Sequence, residues 1–154
     1  MKNQSIVSYK QRLDNLFAQI KAFAGDPELQ SHWAMYLCVL TSGFLETSVR
    51  EIYGLYSSEM AAPNVANFVK NKLEDFQNPK MEKILELTRS FNQAWEIHLR
   101  AATEGEIKDA VDSVVANRHL IAHGRSVGIT YVMIKNYYNN AIKLIDLIDK
   151  QCQQ

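Results

Sequence analysis

The chain has 154 residues, enough for one domain with its own core, and its 47% apolar and 22% charged residues mark a globular rather than a disordered sequence. Its 17 basic and 17 acidic side chains cancel, so the overall balance does not announce a nucleic-acid binder, and any attraction for a polyanion has to be local. There is no run of about 18 consecutive apolar residues that would span a membrane, and the opening "MKNQSIVSYKQRL" lacks the apolar centre of a secretion signal.

From the N-terminus onward the apolar residues recur at helical spacing. Ile6, Leu13, Leu16, Phe17, Ile20 and Phe23 form a first stripe, with Gly25 as its stop. Asp26-Pro27 reads as a cap followed by a first-turn proline, and it opens a long helix to about Ser58. The stripe of that helix is Trp33, Tyr36, Leu37, Leu40, Phe44, Val49, Ile52 and Tyr56. Between 33 and 45 it is apolar nearly all round, as expected of a helix central to a core or lying in a subunit interface. "MAAPN" at 60–64 breaks the pattern, and Val65, Phe68, Val69, Leu73 and Phe76 predict a shorter helix. "QNPK" at 77–80 offers a second cap-plus-proline start, after which Met81, Ile84, Leu85 and Leu87 continue helically, and Trp95, Ile97 and Leu99 form another short piece. Beyond Gly105, the stripe Ile107, Val111, Val114, Val115 and Leu120 predicts a helix that Gly124 stops. "GRSVGIT" is a loop, and Thr130 caps a last helix carrying Val132, Ile134, Tyr137, Tyr138, Ile142, Ile145 and Ile148. With no repeats, no linker and no alternating strand pattern, residues 1–154 read as one all-α domain, a bundle of about five to six helices. Cys38 and Cys152 are isolated, as in a reducing compartment, and a soluble, cytoplasmic protein is expected.

The chemistry concentrates in "NRHLIAHGRS" at 117–126. Two of the chain's four histidines, His119 and His123, stand one helical turn apart beside Arg118 and Arg125. No acidic residue occurs between Ser113 and Ile145, while Arg118, Arg125, Lys135 and Lys143 all lie in that window. Tyrosines and amides of the last helix, including Tyr131, add groups that can stack on and hydrogen-bond to unpaired RNA bases, although half-buried core tyrosines would give the same pattern.

Several chemistries find no support. His119 and His123 have the spacing of a zinc-protease helix, but Leu120 stands where its glutamate would be and no third ligand is close in sequence, so no metal is expected. There is no G-x-S-x-G, no phosphate loop, and no cofactor motif. Acid–base work on RNA remains, because RNA supplies its own nucleophile, the 2′-hydroxyl. Histidine, with an unperturbed pKa of about 6.5, can move protons, and arginine matches phosphate oxygens with a fork of donors. Arg118 and His123 lie roughly 140° apart on an ideal helix and meet only if the helix ends there, which Gly124 allows.

Arg118, four residues and then His123, as R-H-L-I-A-H-G, resembles the R-x(4–6)-H pattern of HEPN domains. The segment "SGFLETSVREIYGLY" at 42–56 resembles the second helix of the RiboL-PSP-HEPN branch. The resemblance implies a small helical bundle that dimerises and, in many members, a metal-independent endoribonuclease whose composite site uses the motif of both subunits. Members occur as toxins, in anti-phage systems and in RNA processing, so a neutralising partner protein is a further possibility. It implies catalytic roles for Arg118 and His123, with His119 as the polar residue that follows the arginine. Some members carry a modifiable tyrosine two positions after the histidine; here that position is Arg125.

Glu46 and Arg50, four apart, read either as a surface ion pair or as a support in which Glu46 orients Arg118 or a histidine. With Asn117, Arg125, Tyr131 and Lys135 they complete the candidates for holding RNA or supporting the catalytic groups. Two other functions fit the same sequence: a non-catalytic helical module for dimerisation or partner binding, and an RNA-binding protein without turnover.

Overall fold

The structure, a computed structural model, describes residues 3–154. Among them are seven α-helices and no strand: α1 Gln4–Ile20, α2 Pro27–Met60, α3 Pro63–Glu74, α4 Met81–Phe91, α5 Gln93–Thr103, α6 Glu106–Ala122 and α7 Tyr131–Cys152. The all-α single domain is as expected, with slightly more helices. The expected separate piece around Trp95 is α5, and the break before it is at Asn92, whose extended backbone (φ −160°) ends α4 while its side chain caps α5 by accepting from Ala94 and Trp95 N–H.

The local signals work as their chemistry requires. Asp26 accepts from Leu29 N–H at 3.1 Å with Pro27 in the first turn of α2. Thr130 accepts from Met133 N–H and caps α7. Two expectations shift. The first helix ends at Ile20, before Gly25, and passes through a 3-10 turn over Lys21–Phe23. Asn78 does not cap α4. It adopts the left-handed conformation (φ +49°), and the helix begins after Lys80, with Met81 N–H donated to Asp112 Oδ1 of α6 at 2.8 Å.

α2, 34 residues and about 51 Å long, is the axis of the bundle and packs against α1, α3, α6 and α7. One broad face is spent on these neighbours: Ala34, Leu37, Cys38, Phe44, Leu45 and Val49 are fully buried, while Trp33, Met35, Val39 and Leu40 on the other sides are half-buried. Several residues of the predicted stripes escape: Tyr36 is 50% exposed with its ring edge-on to Trp33, Val65, Phe68 and Ile97 are more than half exposed, and Val132 is 75% exposed in the first turn of α7.

Aromatic contacts join the sequence-distant helices. Phe17 of α1 stacks on Tyr138 of α7 at 4.6 Å, and Phe44 of α2 meets the same ring at 6.1 Å. The Tyr138 hydroxyl donates to Asp14 Oδ1 at 2.8 Å, within reach of Lys10 O at 3.2 Å, so its burial is hydrogen-bonded. Phe17 also lies 6.4 Å from Tyr131, and Phe23 stacks on Trp33. These contacts gather the end of α1 and the beginnings of α2 and α7 at one end of the bundle. The connection from α6 to α7 reaches that end too, anchored by buried Val127 and Ile129. No helix among the described residues is long and apolar enough to cross a membrane.

Leu45→Ala should leave a cavity at the crossing of α2 with its neighbours and cost about 2–5 kcal/mol. The measurement is urea unfolding, where the midpoint should fall at nearly constant m-value.

Candidate functional site

α6 delivers its histidines to that end. Its last helical residue is Ala122, and His123 follows as the cap (φ −91°, ψ 14°). Gly124 then takes φ +70°, a conformation that costs an L side chain energy but not glycine. The reversal lets Gly124 N–H bond Ile121 O and Arg125 N–H bond Leu120 O, each at 3.0 Å. This is the paired capping pattern that satisfies the last carbonyls of a helix. It places His123 and Arg125 on one tip, a turn beyond His119.

The exposed imidazoles of His119 and His123 touch edge-to-face, ring centres 4.5 Å apart at 64°. With Leu120 and Arg125 they line a concavity of about 420 Å³. A second concavity, about 490 Å³, shares His119 and Leu120 and continues along Val115 and Ala116 to Asn78 and Lys80 in the α3–α4 turn. None of the lining residues of either is acidic.

The other predicted site residues separate. Arg118 is half-buried on the adjoining side of α6 and does not line the histidine concavity, as the helical angle between it and the histidines dictates. No carboxylate among the described residues pairs with it. Asn117 donates back to Ser113 O within its own helix. Tyr131 and Lys135 turn toward α1: Tyr131 meets Phe17, and Lys135 Nζ sits 4.8 Å over the Phe17 ring and 5.6 Å from that of Tyr138.

Glu46 and Arg50 form the expected ion pair at 3.2 Å, but the pair serves a turn rather than the motif side chains. Arg50 donates through Nε to Phe76 O at 2.8 Å and through Nη2 to Glu74 O at 3.0 Å. Glu46 Oε2 accepts from Asn78 N–H at 2.9 Å. The two charges of α2 thus hold the backbone of the α3–α4 turn, which forms the far wall of the second concavity. Sequence reasoning missed Asn78 and Lys80, because nothing near them in the chain points to α6.

The family model described as RiboL-PSP-HEPN matches residues 4–154.

The chain belongs to the RiboL-PSP-HEPN family.

No curated protein and no solved structure matches it. In this HEPN domain the motif occupies the α6 terminus and the following turn. Among the described residues, no three His, Cys, Asp or Glu side chains converge as they would around a metal ion. The thiols lie elsewhere: Cys38 is buried with its S–H toward Val114 O, and burial pushes both Cys38 and Cys152 up to about 12, leaving them protonated at neutral pH.

Gly124→Ala forces a side chain into the left-handed region and should cost about 1–2 kcal/mol. The expected outcome is a lower urea midpoint and loss of slow amide exchange at Gly124 and Arg125.

Proposed function

We propose that this HEPN protein is a metal-independent endoribonuclease that works as a homodimer. The observation that carries the reading is the contact of two exposed imidazoles in a concavity that includes Arg125 and contains no carboxylate. One imidazole accepts the proton of the ribose 2′-hydroxyl as O2′ attacks phosphorus. The other gives a proton to the departing 5′-oxygen as its bond to phosphorus breaks. The products are a 2′,3′-cyclic phosphate and a free 5′-hydroxyl, and both histidines return to their starting states when protons exchange with water. His123, at the tip, is one of the pair. His119 is the other or orients it.

Positive charge must meet the phosphorane, since a fork of N–H donors aimed at developing charge is a large contributor to such catalysis. Arg125 is available within the chain. Arg118 lies outside its own chain's histidine concavity and has no carboxylate partner among the described residues, which favours an arrangement where it serves the site of a second copy across a two-fold axis. Such a composite site agrees with what the resemblance implies. The toxin, anti-phage or RNA-processing setting and a neutralising partner belong to the same proposal.

A second reading has its own observation. α3 buries only Leu73, and leaves Val65 54% and Phe68 61% exposed beside an apolar groove between α3 and α4. A module that only binds a partner would use such a face and would be indifferent to Arg118→Ala.

Single-stranded RNA incubated with the protein in EDTA should be cut, and DNA of the same sequence should resist. His123→Ala should slow cleavage by at least about 10²-fold, the typical contribution of a general acid or base. Equal cleavage by His123→Ala, or intact RNA with the wild type, would remove the nuclease reading; salt-dependent RNA binding that survives His123→Ala without cleavage would identify an RNA-binding protein without turnover.

A further inference from the structure

We infer that Lys80, in the α3–α4 turn, holds a backbone phosphate of the RNA beside the one at the histidines, so that a single strand follows the face of α6 from Arg125 to Lys80. The ligand class rests on the ribonuclease reading; the placement rests on the groove.

The two concavities adjoin at His119 and Leu120 on one face of α6, and together they are the track the strand would follow. Its ends are cationic, Arg125 at the helix tip and Lys80 at the turn, and no acidic side chain lines it. In a chain with equal numbers of acidic and basic residues, a track lined only by cations, histidines, an amide and small apolar groups is complementary to a polyanion. The middle of the track, Val115, Ala116 and Leu120, is an apolar wall against which a base or ribose can lie while phosphates meet the charged ends.

Lys80 is the basic side chain of this turn that the fold leaves for a ligand. Lys83 donates to Gln77 O and sits over the Phe76 ring, and Lys108 pairs with Asp112. No carboxylate among the described residues pairs with Lys80. Two acids beside the turn are engaged elsewhere, Asp112 by Met81 N–H and Lys108 Nζ and Glu46 by Asn78 N–H and Arg50.

The backbone that carries Lys80 is fixed from three directions. Glu46 takes Asn78 N–H, Arg50 takes the carbonyls of Glu74 and Phe76, and Asp112 takes Met81 N–H. Pro79, between Asn78 and Lys80, is buried. A charge mounted on so constrained a turn meets its ligand without ordering the main chain first, which is the advantage of preorganisation. Lys80 is therefore a positioning residue, and its contact is to a phosphate that does not react.

The test uses the full chain and a 12-nucleotide 2′-O-methyl RNA, which cannot supply the nucleophile. Fluorescence anisotropy over a range of salt concentrations gives the affinity and its salt slope. Lys80→Gln should weaken binding about five- to tenfold and lower the slope by about 0.7, the release expected for one phosphate contact on a single strand; Lys80→Arg should restore both. On cleavable RNA, Lys80→Gln should raise KM for a 12-mer and lower the ratio of 12-mer to dinucleotide kcat/KM by the same factor. Unchanged affinity and slope in Lys80→Gln overturn the inference, as does a change in oligomer mass by light scattering with RNA affinity intact, which would assign the groove to contact between copies. Wild-type binding that depends on Lys80 without any cleavage supports this placement while removing the nuclease reading. A wild type that binds no RNA removes both.

Discussion

The left-handed turn at Gly124 is the constraint on which the candidate site depends. A helix that continued past Ala122 would carry Arg125 about 200° around from His123, on the opposite side of the cylinder. The reversed bonds from Gly124 and Arg125 to Ile121 and Leu120 instead fold the chain back, so that His119, His123 and Arg125 border one concavity. The same bonds satisfy carbonyls that would otherwise be left at a helix end. Geometry of the site and stability of the helix terminus are therefore one feature, set by the absence of a single Cβ.

The second constraint is α2. It buries one broad apolar face from Ala34 to Tyr53 and, past its midpoint, carries an ion pair, Glu46–Arg50, that grips backbone. Arg50 cannot be replaced by a generic cation in this role, because two carbonyls two positions apart, those of Glu74 and Phe76, are met by two donors of one planar group. Through Glu46 and Asn78 the grip extends to the wall opposite α6. The long helix thus sets both the core and the distance across the groove.

Much of this was legible in the sequence because it is local. Asp26-Pro27, Thr130 and Gly124 act through neighbours within a turn of themselves, so their residue types predict their roles. The motif at Arg118–His123 was legible as a pattern, and the family match over residues 4–154 agrees with the resemblance. What was hidden depends on partners far along the chain. Asn78 read as a helix cap, but Glu46, 32 positions away, holds it in a left-handed turn. Tyr131 and Lys135 read as RNA-facing because they lie near the motif, and in the fold both lie against Phe17 of α1 and line neither concavity. Arg118 shares a decapeptide with the histidines but not their concavity. Proximity in sequence gave the composition of the basic end of the bundle, and only packing decided which of its cations look into the groove.

The Tyr138 hydroxyl reaches Asp14 across 124 positions, while its ring covers Phe17. During synthesis the first helix leaves the ribosome long before the helix that completes its packing. Until the seventh helix is translated, Phe17 lacks the ring that stacks on it, and Asp14 lacks a hydroxyl donor. Closure of this bundle thus waits for the seventh helix, and until then the nascent chain carries an incompletely covered aromatic face, the kind of exposed apolar surface that chaperones recognise.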